Sequence, residues 1–290
     1  MPDVHERIAK LSPTERALLE AHLMQLQRGA GREVSDTIPR RQSPAPCALS
    51  FAQQRLWFLS QLDPSSPLYN ERKALRLHGP LNSDCLQQAL AAVVERHEAL
   101  RTTFMAIDGT PMQAVSELVA LALPVVDLRA WPESAREAEV QRQLTAAIQA
   151  PFDLTGDVLL RGLLVRVGDE DSVLLLVTHH IASDSWSTGI LFREMSAFYR
   201  ALVTEAPVVL PALPIQYADY ALWQRQWLQG ERLEAHLAYW RQQLSGAPTR
   251  LELPTDHPRP ALQSWHGTRQ SWLLPATLAA DLKRLSQQQG

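Results

Sequence analysis

Between residues 173 and 202 the hydrophobic period changes within a few positions, and the change predicts a strand followed at once by a helix. Residues 173–177 form an unbroken apolar run with Val at both ends, the pattern of a strand buried on both faces. From Ile190 the apolar positions fall at Leu191, Met195, Phe198, Tyr199 and Leu202, the spacing of one helical face. Between them lies His179-His180-Ile181-Ala182-Ser183-Asp184-Ser185. The strand therefore delivers two imidazoles to its carboxyl end, the edge at which α/β sheets place much of their chemistry.

The rest of the chain alternates between the two periods. Ser12-Pro13-Thr14-Glu15 is a capping box opening a helix that runs to about Gln27, with Leu19, Leu23 and Leu26 on one face. A polar stretch rich in Gly, Pro and Arg follows and reads as a linker. Ser50-Phe51-Ala52-Gln53 is a second capping box, and Asp63-Pro64 ends the short helix it opens. Leu75 and Leu77 alternate with Arg76 and His78 in a strand. The spacing predicts a helix over 83–97, with Leu86, Leu90, Val93, Val94 and His97 facing inward. Strands follow over 100–107 and 110–115, joined by the hairpin signal Asp108-Gly109. A strand over 121–126 and a helix over 132–149 come next, then a hairpin of strands 158–167 and 172–178. Beyond Pro214 the pattern is helical over 216–229 and 231–244, extended over 253–274, and helical again from near Pro275. Hairpins mixed with helices predict an α/β fold, a two-layer sandwich with a mixed sheet.

Composition narrows the functions. The chain has 290 residues, 46% of them hydrophobic, enough for a sizeable core. With a net charge of −3 and no basic block, neither nucleic acid nor an anionic membrane surface is an expected partner. No apolar run approaches the roughly 20 residues of a membrane span, and the amino terminus lacks the apolar segment of a signal peptide. Cys47 and Cys85 are isolated in sequence, which fits a reducing cytoplasm and neither a disulfide framework nor a zinc site.

The histidine pair admits two readings. Neighbouring strand side chains point to opposite faces, so His179 and His180 cannot share one task or converge on one metal. Both can be packed or rim histidines; alternatively one imidazole, with an unperturbed pKa of about 6.5, works as a base in a cleft.

HHIASDS decides between them by resemblance. It is similar to the HHxxxDG signature of the condensation domains of nonribosomal peptide synthetases, members of the chloramphenicol-acetyltransferase-like superfamily. Four further segments agree in the family's order: LSFAQQRLWFL (49–59), RHEALRTTF (96–104), YADYALWQ (217–224) and LPTDHPRP (253–260). The resemblance implies a fold of two similar lobes forming a V. Here residues 49–213 would make the amino-terminal lobe, and 214–290 a helical connection and an incomplete second lobe. Residues 1–28 would be a helical extension suited to docking and 29–48 a linker. The second lobe's later motifs are not in the chain, so the chain by itself is expected to be inactive.

The implied activity is amide bond formation between a donor acyl or peptidyl thioester and an acceptor aminoacyl thioester. Both would be carried on phosphopantetheine arms of upstream and downstream carrier proteins, and the domain would hold no cofactor of its own. By family position His180 is the catalytic residue, beside the attacking amine, and His179 supports the loop. Asp184 is expected to be structural, paired with Arg96 or Arg101, and its place also suits the N-cap of the following helix. Ser185 stands where the family has Gly, which puts full activity in question. Trp57, Trp186, Trp223 and Trp227 are expected to pack in cores rather than stack on ligands. Heterocyclising domains carry aspartates in place of both histidines, and the epimerising alternative places its tryptophan later than Trp186. A rival reading is a non-catalytic remnant that only docks carriers, motivated by Ser185 and the absent lobe.

Overall fold

A computed structural model of the chain describes residues 36–117, 120–258 and 270–289. The helix expected over 12–27, much of the linker and the middle of the extended stretch 253–274 lie outside the described residues. The chain divides into two units, one ending at Ser245 and the other beginning at Gly246. In the first, the strands are β1 (Cys47–Ala48), β2 (Asn70–His78), β3 (Thr102–Ile107), β4 (Thr110–Val115), β5 (Val125–Asp127), β6 (Leu160–Gly168) and β7 (Asp171–His179). Its helices are α1 (Phe51–Leu62), α2 (Ser83–Arg96), α3 (Glu133–Gln149), α4 (Ser185–Thr204), α5 (Tyr217–Trp227) and α6 (Gly230–Gln243). The second unit contains α7 (Ala276–Gln289).

The strands form two sheets rather than one. The larger has the order β2-β7-β6-β5, with β2, β7 and β6 antiparallel and β5 parallel to β6, which makes it the expected mixed sheet. The smaller, β1-β4-β3, is antiparallel and is built on the Asp108-Gly109 turn. Asp108 and Gly109 have φ of 50° and 75°, as a two-residue hairpin turn that follows the strand twist requires.

The expectation of a strand buried on both faces holds for β7. Val173, Leu175 and Val177 pack with Leu163 and Val165 of β6 and with Val140 and Leu144 of α3. Leu174 and Leu176 turn the other way, onto Leu86, Leu90 and Val93 of α2 and Leu191 and Met195 of α4. With α2 and α4 on one face and α3 on the other, the strand has no solvent side, which is why its sequence shows no polar alternation.

Local signals place most helix ends. The Ser50 hydroxyl accepts the Gln53 backbone N–H at 3.1 Å while the Gln53 side chain accepts the Ser50 N–H at 2.9 Å, closing the predicted capping box. Asn82 caps α2 by accepting from the Asp84 and Cys85 N–H groups. In the first unit, α5 is fastened to the segment that precedes β2. Asp219 accepts the backbone N–H of Arg41 at 3.0 Å, and the Tyr217 hydroxyl lies 3.0 Å from Ser50 Oγ. Arg225 Nε donates to the Leu49 carbonyl at 2.7 Å.

Candidate active site

The antiparallel pairing of β2 with β7 sets the position of both histidines. Asn70 is opposite His179, and one step further the His180 N–H donates to the Tyr69 carbonyl at 2.8 Å. The chain then leaves the sheet, turns through residues 181–184 and enters α4.

His179 faces the core and is buried, with the Phe152 ring edge-on to it and the Tyr69 ring tilted beside it. Its Nδ1 accepts the Ile181 N–H at 3.1 Å, which leaves the ring hydrogen on Nε2. Burial, and secondarily the neighbouring His180, lowers its pKa to about 4. His179 is thus a neutral packing residue that ties the loop to the strand end. A neutral imidazole that protonates near 6.5 when unfolded and near 4 when folded stabilises fully above the unfolded value and loses that contribution as pH falls. Between pH 7 and pH 5 the loss comes to about 2 kcal/mol. Asp171 and Asp184, whose pKa values are lowered by Arg76 and by Ser187 respectively, titrate below that window. Urea unfolding at the two pH values should show this loss, and His179→Asn, whose amide oxygen can replace the Nδ1 acceptor, should remove most of it.

His180 is partly open to solvent, its side chain 43% exposed. Its Nδ1 lies 2.7 Å from the Ser183 carbonyl oxygen, and Glu71 Oε1 stands 3.3 Å from the same nitrogen. A carbonyl and a carboxylate only accept hydrogen bonds, so Nδ1 carries a ring hydrogen, and in the neutral ring the lone pair is then on Nε2. The loop therefore presents an imidazole in the tautomer that a general base requires.

Asp184 is the N-cap of α4. Its Oδ1 accepts from the Ser187 N–H at 2.8 Å and the Ser187 hydroxyl at 2.6 Å, which hold the carboxylate below its usual pKa range. The expected pairing with Arg96 or Arg101 is not formed. Arg96 Nε donates to Glu194 at 3.0 Å and its other arm to the Pro211 carbonyl. Arg101 donates to the Ser116 and Glu95 carbonyls. The physical reason is burial: Glu194 is 4% exposed and needs both Arg96 and His97 Nε2, the latter 2.6 Å away, whereas Asp184 is exposed at a helix start and is satisfied locally. Glu194→Ala should accordingly lower stability by about 3–5 kcal/mol, and Asp184→Ala by about 1 kcal/mol, the worth of a cap. Thermal melts of the two variants check the ranking, and a larger loss for Asp184→Ala would reverse it.

Ser185 is the first residue of α4, and its φ is not positive. The conformational freedom of the family's glycine is not needed at this position. Of the four tryptophans, Trp57, Trp223 and Trp227 are half-buried, with Trp223 stacked between Tyr220 and Trp227. Trp186 departs from the expectation of core packing. It is 83% exposed in the first turn of α4, because a residue two places after an N-cap on the solvent side of a helix has no core to enter.

Glu71 is the site residue that sequence reasoning missed. It lies opposite Thr178, two places along the chain from Tyr69, and so stands diagonally across from His180. No local signal marks it, since it sits among charged residues at the start of an edge strand. Only the β2–β7 register, readable had Asp171 been matched to His78, would have found it.

A family model described as the condensation domain matches residues 45–290. The chain belongs to the condensation-domain family. It is 44% identical, over all of its length, to phosphinothricin tripeptide synthetase PhsC of Streptomyces viridochromogenes, covering 26% of that synthetase. It is 42% identical, over 85% of its length, to the isonitrile lipopeptide synthase of Mycobacterium tuberculosis, covering 10% of it. Among solved structures, the X-domain in complex with OxyB from teicoplanin biosynthesis is 30% identical with a TM-score of 0.68, over 78% of this chain and 49% of that one. This condensation domain thus spans about a quarter or less of the two synthetases. Among the described residues, no helix is long and apolar enough to cross a membrane.

Proposed function

We propose that the domain forms an amide bond between two thioesters carried on phosphopantetheine arms, with His180 assisting attack by the acceptor amine on the donor carbonyl. The observation that carries this reading is the hydrogen bond between His180 Nδ1 and the Ser183 carbonyl, with the Glu71 carboxylate 3.3 Å from the same nitrogen, which in the neutral ring leaves the Nε2 lone pair for the amine. In the forward step the amine nitrogen bonds to the carbonyl carbon, Nε2 takes a proton from it, and collapse of the tetrahedral intermediate expels the pantetheine thiolate, which is then protonated. Two carrier proteins are the implied partners, one presenting the donor and one the acceptor. His179 serves as packing beneath the loop, and Asp184 as the cap that fixes its exit into α4.

The rival, a remnant that docks carriers without making a bond, draws on Ser185 and on the second-lobe motifs that are not in the chain. The Ser185 motive weakens with that residue in ordinary helical backbone. The test is a single-turnover assay with one carrier loaded with an acyl donor and a second with an aminoacyl acceptor, using the domain extended through a second lobe. Mass spectrometry should find the condensed product on the acceptor carrier. Carrier binding with no product under these conditions would favour the remnant.

A further inference from the structure

We infer that Glu71 is a positioning residue for the reaction, the carboxylate that acts on the His180 imidazole, while Asp184 caps α4. The inference rests on the reading of His180 as the base.

Three observations carry it. First, Glu71 Oε1 is 3.3 Å from His180 Nδ1, whereas the Asp184 acceptor oxygen is engaged by the Ser187 N–H and hydroxyl. Second, the position is rigid. Glu71 is on a strand paired with β7 along all nine of its residues, and the His180 N–H is fixed to the Tyr69 carbonyl. Third, Glu71 Oε2 is buried and has no hydrogen-bond partner among the described residues. A buried carboxylate oxygen left unpaired by the protein is a cost to folding, and such a group calls for an explanation, of which a catalytic role is one. The glutamate contributes little to the fold that a glutamine would not, since both fill the same space and both can accept from Nδ1.

What a glutamine lacks is charge. While Nε2 is unprotonated, the Nδ1 hydrogen is held by the Ser183 carbonyl with or without Glu71. Once Nε2 takes the proton of the attacking amine, the ring becomes an imidazolium with a carboxylate beside it. The attraction is therefore greatest in the transition state and intermediate, and contributes little when the ring is neutral, which is the condition for raising kcat rather than lowering KM. A unit charge at this distance in a partly exposed site is worth about 10- to 100-fold in rate.

The experiment compares wild type, Glu71→Gln, Glu71→Ala and His180→Ala in the extended domain, with loaded carriers. The expected result is a 10- to 100-fold lower kcat for both Glu71 variants, with unchanged acceptor KM and unchanged melting temperature. Added formate should restore part of the Glu71→Ala activity and none of the His180→Ala activity, because a small carboxylate can occupy the vacated space and supply the charge. Full kcat in Glu71→Gln, or a loss that tracks melting temperature and resists formate, would overturn the inference. If His180→Ala itself keeps full activity, the reading of His180 as the base fails. If only the Glu71 variants do, the base stands and the positioning role alone falls.

Discussion

His180→Ala should cut product formation by about 10²–10⁴-fold while leaving the melting temperature close to wild type. The range is that of general base assistance, and the site indicates where the remainder would come from. His180 is at the end of β7 with its side chain 43% exposed, so its removal empties no core and leaves the Leu174 and Leu176 packing intact. The Ser183 carbonyl loses a donor but faces a loop that water reaches. The residual rate would be that of two thioesters held side by side. A single-turnover assay with both carriers loaded measures the drop. Wild-type product yield in this variant would remove His180 from the chemistry, and an unfolded variant would show its role to be structural.

A still larger effect is expected from lengthening the chain toward the span of the X-domain structure it matches, of which it covers 49%. The 290-residue chain should give no condensation above its own His180→Ala background, while a longer polypeptide that supplies the family's second lobe should be active. Holding amine and thioester in a near-attack geometry is worth effective molarities of about 10⁵–10⁸ M, well beyond the proton-transfer contribution. The His180 side chain is 43% exposed, open for a substrate to reach. Carrier-to-carrier acyl transfer followed by mass spectrometry on both polypeptides compares them directly. Equal rates would mean that the 290-residue chain by itself orients the amine.

These expectations depend unequally on sequence and structure. The sequence by itself determined most of the elements and their order, because the signals are local. The continuous run 173–177 requires a strand covered on both sides, Ser50 and Gln53 close a capping box within one turn, and Asp108-Gly109 adopts the positive φ values its hairpin needs. It also placed His180, since an HHxxxD motif at a strand-to-helix junction is contiguous in the chain. Only the tertiary structure decided which charges meet. Arg96 and Asp184 both belong to motif segments, yet Arg96 goes to Glu194, because a carboxylate buried on the inner side of α4 depends on a cation more than one that caps the exposed start of the same helix. Glu71 reaches His180 although 109 positions separate them in the numbering. That meeting follows from the register His78↔Asp171 through Asn70↔His179, a long-range choice set by the burial of β7 between two layers of helices. Burial likewise separates the two histidines, since adjacent strand positions face opposite ways. One imidazole is withdrawn into the core and kept neutral, and the other is left at the rim with a lone pair to use.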